Sequence, residues 1–197
     1  MIRGIFFDCF GVLYVTVTEA YFVRFPELHE ELYDLNKQAD HGFIDRATYI
    51  GAVAKLTGVS ESETSRAFAG EHTINQPLID YIKTELKPHY KIGLVSNIGR
   101  DWIQDFFDEH ELHGLFDTVV LSSTEGITKP NPLIFDRAAE RMGIYPDEAV
   151  FVDDRLENCE GAKASGMTGV VFENNEDFKT DLTQLLHTNT GGANNEN

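Results

Sequence analysis

Asp8 closes an apolar run, Ile2-Arg3-Gly4-Ile5-Phe6-Phe7, and precedes Cys9-Phe10-Gly11-Val12-Leu13. Three other apolar runs also lead into polar groups. Ile92-Gly93-Leu94-Val95 ends in Ser96-Asn97, and Thr118-Val119-Val120-Leu121 leads to a loop carrying Lys129-Pro130. Ala149-Val150-Phe151-Val152 ends in Asp153-Asp154, with Glu157 and Asn158 soon after. Gathered at one place, these residues offer carboxylates, a hydroxyl, an amide and an ammonium. Clustered carboxylates repel one another and raise each other's pKa unless a cation sits among them. Oxygen donors without His or Cys suit a hard ion, Mg²⁺, rather than zinc. Mg²⁺ shares its shell with a substrate phosphate, and a carboxylate beside such a phosphate can attack it to form an aspartyl-phosphate. The Ser96 hydroxyl and Asn97 amide can donate to phosphoryl oxygens, and Lys129 can offset their charge.

For that chemistry the four run ends must meet. The runs do not alternate apolar with polar, which suits strands covered on both faces of a parallel sheet. Gly169-Val170-Val171-Phe172 is a fifth such run. Ile98–His110, Asn131–Met142 and Asn158–Ser165 read as helices between them, the last two stopping at Gly143 and Gly166. From residue 76 onward the alternation is βαβα, the pattern of a doubly wound α/β core. Parallel strands carry their carboxyl ends to one edge, where open α/β sheets place their sites. The stretch after the first strand is different. Glu19–Gln38, Arg46–Leu56 and Glu61–Phe68 read as helices, punctuated by Gly42, Gly58 and Pro77. The organisation expected is a core of residues 1–14 and 76–187 and a helical insertion over residues 15–75, lying across the strand ends. Residues 188–197 are expected to form a loose tail.

Composition narrows the partners. The chain has 197 residues and a formal net charge of −17. That surplus repels nucleic-acid backbones and anionic membrane surfaces, but leaves room for a small anion held by a local cation. No apolar run approaches the ~20 residues of a membrane-spanning helix, and Met1–Asp8 reads as a strand rather than a signal peptide. Cys9 and Cys159 fit neither a zinc spacing nor a disulfide framework, so reduced thiols in the cytoplasm are expected, with Cys9 buried and inert. Asn158 either orients the Asp154 loop or caps its helix. The seven histidines, at 29, 41, 72, 89, 110, 113 and 187, read as surface groups. Arg24, His41 and Arg46 read as solvated helix faces, and Trp102, Phe106 and Phe107 as packing.

Asp8-Cys9-Phe10-Gly11-Val12-Leu13, Ser96-Asn97, Lys129-Pro130 and Val152-Asp153-Asp154 resemble, in order and spacing, the four motifs of the haloacid-dehalogenase-like (HAD) hydrolases. The resemblance covers nearly the whole chain. The insert after the first motif looks like the small helical cap of subfamily I. Gly42-Phe43-Ile44-Asp45 and Asp153-Asp154-Arg155-Leu156-Glu157-Asn158 are similar to segments of the branch containing alpha-D-glucose-1-phosphate phosphatase and the phosphatase domain of soluble epoxide hydrolase. The resemblance implies a Rossmann-like doubly wound parallel sheet and a Mg²⁺-dependent phosphatase for a small phosphorylated metabolite, with sugar phosphates as one class. It implies that Asp8 is the nucleophile, Ser96, Asn97 and Lys129 hold the phosphoryl group, and Asp8, Asp153, Asp154 and the Phe10 carbonyl hold the metal. One position departs from the pattern. Phosphatases of this kind commonly carry a second Asp two places after the nucleophile to protonate the leaving oxygen; here that place is Phe10, and loss of such a group costs about 10²- to 10⁴-fold. The glucose-1-phosphate branch also tends to lack it, and a sugar hemiacetal needs less protonation. Two alternatives stand beside this reading. One is a weakened HAD fold that binds a ligand or protein partner. The other is a 2-haloacid dehalogenase, which Phe10 favours and Asp153-Asp154 oppose.

Overall fold

Residues buried on both faces of a strand leave no polar side to expose; three such strands form the middle of one five-stranded parallel sheet, and its two edge strands are partly exposed. The structure is a computed structural model that describes residues 1–15, 23–68 and 72–190. In chain order the sheet strands and their neighbours begin with β1 (Gly4–Phe7) and β2 (Tyr14–Val15). Three helices follow: α1 (His29–Asp40), α2 (Arg46–Thr57) and α3 (Glu61–Phe68). Then come β3 (Thr73–Ile74), α4 (Gln76–Tyr81), β4 (Lys91–Ser96) and α5 (Glu109–Leu115). The chain continues through β5 (Thr118–Leu121), α6 (Ser122–Glu125), α7 (Pro132–Met142) and β6 (Ala149–Asp153). It ends in α8 (Leu156–Ser165), β7 (Thr168–Val171) and α9 (Asn175–Thr190).

The sheet order is β5-β4-β1-β6-β7, parallel at every pairing. Phe7 lies level with Leu94 and with Val152. Alternation of side chains then divides the core into two layers. Ile5, Phe7, Leu94 and Val152 pack with Leu78, Ile82, Phe178 and Leu182 on the face of α4 and α9. Phe6, Val95, Val120 and Phe151 pack with Ile134, Phe135, Ala138 and Ala162 on the face of α7 and α8. Helices on both faces make the sheet doubly wound, as the sequence pattern implies. Among the described residues no helix is long and apolar enough to cross a membrane.

Three expectations need correction. Ile98–His110 is not one helix. Asp101 takes a left-handed φ of 63°, a short 3₁₀ turn spans Ile103–Asp105, and α5 begins only where Asp108 and Glu111 form a reciprocal capping box. The apolar spacing of Ile98, Trp102 and Phe106 mimics a helix, but these residues serve different neighbours. The Glu19–Gln38 segment falls partly on residues 16–22, outside the described residues. Its described part is interrupted by a 3₁₀ turn at Pro26–Leu28, because proline opens a new helical start rather than continuing one. Finally, α9 runs to Thr190, so residues 188–190 are helical, and the rest of the expected tail lies outside the described residues.

The sequence reading passes over β2 and β3. They pair antiparallel, with Tyr14 opposite Ile74 and Val15 opposite Thr73. Asn75 reinforces the ribbon, donating through its main chain to the Leu13 carbonyl (2.8 Å) and through its side chain to the Val12 carbonyl (3.0 Å). The chain segment between them therefore leaves and returns at one place. Within it, Leu32, Ala39, Tyr49, Ile50 and Val53 form a small core of their own. Tyr49 is wholly buried, and its hydroxyl donates to Asn36 Oδ1 at 2.6 Å.

The C-terminus of α1 docks on the main sheet's loops. Ser122 Oγ donates to the Asp40 carbonyl (2.6 Å) and accepts from the Ile98 amide (3.0 Å). Gly42, at φ 72°, abuts the Ser123 carbonyl so closely that a Cβ would collide with it. Burial pushes the Asp40 carboxyl up to about 7, against the pull of the Lys129 ammonium.

Two stability outcomes follow from this packing. Phe135 and Phe151 meet edge to face at 4.8 Å in the buried layer, so Phe135→Ala lowers unfolding free energy by about 3–5 kcal/mol in urea titrations. Asp40 holds its proton more tightly folded than unfolded, so its contribution to stability falls as pH rises from about 4 to about 7. Asp40→Asn removes that loss and gains ~1–3 kcal/mol over the wild type at pH 8 relative to pH 5, read from the same titrations.

Candidate functional site

The parallel register brings the ends of β1, β4 and β6 side by side. Asp8 leaves β1 with its amide on the Val152 carbonyl (2.9 Å), and Asp153 ends the neighbouring strand β6. Both carboxyls are buried, Asp8 at 6% exposure and Asp153 at 0%. Lys129 comes from the loop before α7 and places its ammonium between them, 2.8 Å from Asp8 Oδ1 and 2.6 Å from Asp153 Oδ2. The loop is held for this task by Asn97. Its side chain accepts from the Lys129 amide (2.8 Å) and donates to the Lys129 carbonyl (3.0 Å). Asn97, read from sequence as a phosphoryl contact, thus clasps the loop that carries the lysine.

The charges explain the proton affinities. Burial pushes Asp8 up to about 7; Lys129 opposes the rise and Asp153 adds to it. For Lys129 burial acts downward, but Asp8 and Asp153 outweigh it and hold its pKa above the ordinary lysine value. Asp153 takes further donors besides Lys129. The Arg155 amide reaches Oδ1 at 2.9 Å, and Asn158 Nδ2 lies 2.9 and 3.0 Å from the two oxygens. Asn158 therefore serves the Asp153 carboxylate, and it caps no amide of α8.

Asp154 is exposed, and burial of its carboxyl group together with Asp153 raises its pKa. Its carboxyl rests against Gly11, whose φ of 80° and missing Cβ are both required: a Cβ there would strike the Asp154 carboxylate. The segment Phe10-Gly11 and Asp154 are thus brought into contact. One oxygen each from Asp8, Asp153 and Asp154 lies within 4.8 Å of the others. Ser96 ends β4, wholly buried, and its Oγ has no hydrogen-bond partner among the described residues. A buried hydroxyl without a partner costs free energy, so it marks a place built for a group from outside.

Phe10 turns its ring away from proton chemistry. It packs edge to face on Phe106 at 4.9 Å, beside Tyr14, whose hydroxyl donates to the Phe106 carbonyl. His72, expected on the surface, is half-buried against Phe106 at 4.5 Å between ring centres. Arg46 is paired with Asp105 at 2.7 Å and Arg24 with Glu63 at 3.4 Å. Cys9 is wholly buried, and burial with the Asp8 charge raises its thiol well above the ordinary value. Trp102, Phe106 and Phe107 pack as expected. Asp40, which lies in no readable motif, feels the Lys129 charge, and Thr128 directly precedes Lys129.

Comparisons with known proteins agree with this geometry. The sequence profile of the haloacid dehalogenase-like hydrolases matches residues 2–166. A glyceraldehyde 3-phosphate phosphatase of Methanopyrus kandleri is 48% identical over 60 residues, 30% of this chain and 26% of that protein. A D-ribitol-5-phosphate phosphatase of Bacteroides thetaiotaomicron is 32% identical over 132 residues, 64% of each chain. These matches span less than two thirds of the relatives' own lengths. A HAD family enzyme of B. thetaiotaomicron, solved in complex with magnesium and inorganic phosphate, superposes with a TM-score of 0.75 at 24% identity, covering 88% of this chain and 95% of that one. That likeness is one of fold. With the profile spanning most of its length, and Lys129 joining the carboxyls at two of the strand ends, this chain belongs to the haloacid dehalogenase-like hydrolases.

Proposed function

We propose that the protein is a Mg²⁺-dependent phosphatase for a small phosphorylated metabolite, a sugar or polyol phosphate among the candidates, working through an aspartyl-phosphate on Asp8. The observation that carries the reading is the buried Asp8–Lys129–Asp153 group with the unpartnered Ser96 hydroxyl beside it. In this reading residues 1–14 and 76–187 form the catalytic core, and residues 15–75 act as a cap over it. Two unbridged, buried cysteines suit a reducing compartment, and we place the protein in the cytoplasm.

The donor set fits the metal. Asp8, Asp153 and Asp154 supply hard oxygen donors close together, and one ammonium leaves their charge in excess, as a divalent ion requires. These residues and the Phe10 carbonyl would hold it. Bound there, Mg²⁺ would offset the repulsion between the carboxylates and a phosphoryl group. The protein's own groups do the rest. The Cys9 amide holds Asp8 Oδ1 at 2.7 Å, fixing the nucleophile's carboxyl plane. Ser96 Oγ donates to a phosphoryl oxygen and gains the partner that it otherwise lacks. Lys129 supplies positive charge in a dry setting, where it is strengthened. The Asp153-Asp154 pair weighs against a haloacid substrate, whose anion it would repel in the absence of metal.

Purified protein with Mg²⁺ is expected to release inorganic phosphate from one or more members of a panel of triose, pentitol and hexose phosphates, and EDTA is expected to stop release. Asp8→Asn lowers kcat/KM by at least about 10³-fold; persistent turnover in that variant would show that the nucleophile lies elsewhere. Ser96→Ala lowers kcat about 10²-fold with an unchanged far-ultraviolet circular dichroism spectrum.

A further inference from the structure

Phe10 has no proton to give, yet transfer of a phosphoryl group from an alkyl ester leaves an alkoxide that needs one. The carboxyls of the site are otherwise engaged. Asp153 is held by Lys129, Asn158 and the Arg155 amide, and Asp154 rests against Gly11; both belong to the cluster that suits a cation. Asp40 is not. Its main chain is clamped by Ser122 Oγ, which also receives the amide of Ile98, two residues beyond Ser96. The ring of His41 places Nε2 3.3 Å from Thr128 Oγ1, one residue before Lys129, and Nδ1 2.8 Å from the Lys37 carbonyl. Residues 40–42 are thereby fixed over the two loops that carry Ser96 and Lys129. The Asp40 carboxyl has no hydrogen-bond or ion-pair partner among the described residues. The charge that acts on it is Lys129, the ammonium that also joins Asp8 and Asp153.

We infer that Asp40 is the acid and base of the phosphoryl transfer that Asp8 begins, an inference that rests on the phosphatase reading above. In the first step an Asp8 carboxylate oxygen bonds to phosphorus and the ester P–O bond breaks. Its electron pair stays on the alcohol oxygen, which takes the proton of the Asp40 carboxylic acid. In the second step the Asp40 carboxylate takes a proton from water as the water oxygen bonds to phosphorus. The Asp8–phosphorus bond breaks, its electrons return to Asp8, and phosphate leaves. Asp40 suits both roles. It sits at the C-terminus of α1, where the helix field disfavours a negative charge, and burial sets its carboxyl at about 7, able to give and take a proton near neutrality. Its residue keeps partial contact with solvent, from which the water comes.

The test is a leaving-group comparison on the full chain with Mg²⁺, using p-nitrophenyl phosphate, whose phenolate leaves unaided, and ribitol 5-phosphate, whose alkoxide does not. Asp40→Asn is expected to lower kcat/KM for ribitol 5-phosphate at least about 30-fold more than for p-nitrophenyl phosphate. Adding Phe10→Asp to Asp40→Asn, which restores a carboxyl two places after Asp8, is expected to recover part of the difference. Equal losses on both substrates, or none, would overturn the role of Asp40 while leaving the phosphatase reading intact. So would wild-type protein that hydrolyses p-nitrophenyl phosphate but no alkyl phosphate. Wild-type protein that hydrolyses neither would overturn both.

Discussion

The ammonium of Lys129, held between two buried carboxylates, is the constraint on which the site depends. Bringing these charges out of water costs several kcal/mol for each ion, and such a group is retained only where geometry and further hydrogen bonds offset that cost. Here the offset is visible. Asp153 takes donors from a side-chain amide and a main-chain amide, Asp8 takes the Cys9 amide, and Lys129 is fixed through its own backbone by Asn97. A hydrophobic trio of equal volume would stabilise the fold as well or better. The reading that explains its presence is chemical: charges that are pre-positioned and dry act strongly on a phosphoryl group and need no reorganisation when it arrives.

The sheet makes that arrangement rigid. Asp8 and Asp153 belong to adjacent strands whose partners are set by main-chain hydrogen bonds and by buried side chains on both faces. A slip of one residue would exchange the two core layers, so register is defended by the whole interior. Lys129 enters from a loop, the least rigid kind of element, and it is there that the extra clasp from Asn97 appears. The α8 helix packs under the same loop, with Gly161 against the Pro130 carbonyl. Strands supply position, and side-chain clasps carry that precision into the loops.

The strand ends were legible because runs without a polar alternate can only be buried on both faces, and such strands run parallel. That pattern alone puts Asp8, Ser96, Asp153 and Asp154 at one edge. What could not be read has physical causes. The two-residue strands β2 and β3 have no periodicity to detect, and each exists only through a partner nearly sixty residues away. Ile98, Trp102 and Phe106 recur at helical spacing, but they pack on the main core from an irregular segment, and Trp102 also reaches Tyr49 and Phe68 at 5.0 and 6.1 Å; three-dimensional neighbours, not a helix, set that spacing. Asn97 and Asn158 were recognised as polar residues beside a site, but their task of holding Lys129 and Asp153 depends on contacts across loops. Asp40 carries no motif at all. Its importance arises from burial and the distant Lys129 charge, neither of which is a property of its neighbours in the chain.

Phe10 and Asp40 then form one design rather than two peculiarities. Two residues from the nucleophile, a carboxylate would add another like charge to a cluster already in excess, and would hydrate that wall. Phe10 with Phe106 and Tyr14 instead presents an aromatic surface there. Exclusion of water strengthens every charge that remains, and burial is the first cause of the raised Asp8 pKa. A proton carrier set on the α1 terminus answers to a different environment: Lys129 and a helix end, without the direct Asp153 charge felt by Asp8. Carboxyls assigned opposite duties work best when their surroundings differ, because each proton affinity can then be set without disturbing the other. On that argument the aromatic residue at position 10 does not mark a weakened enzyme. With Asp40 as the proposed proton carrier, it marks one in which the nucleophile and the proton carrier come from separate parts of the fold.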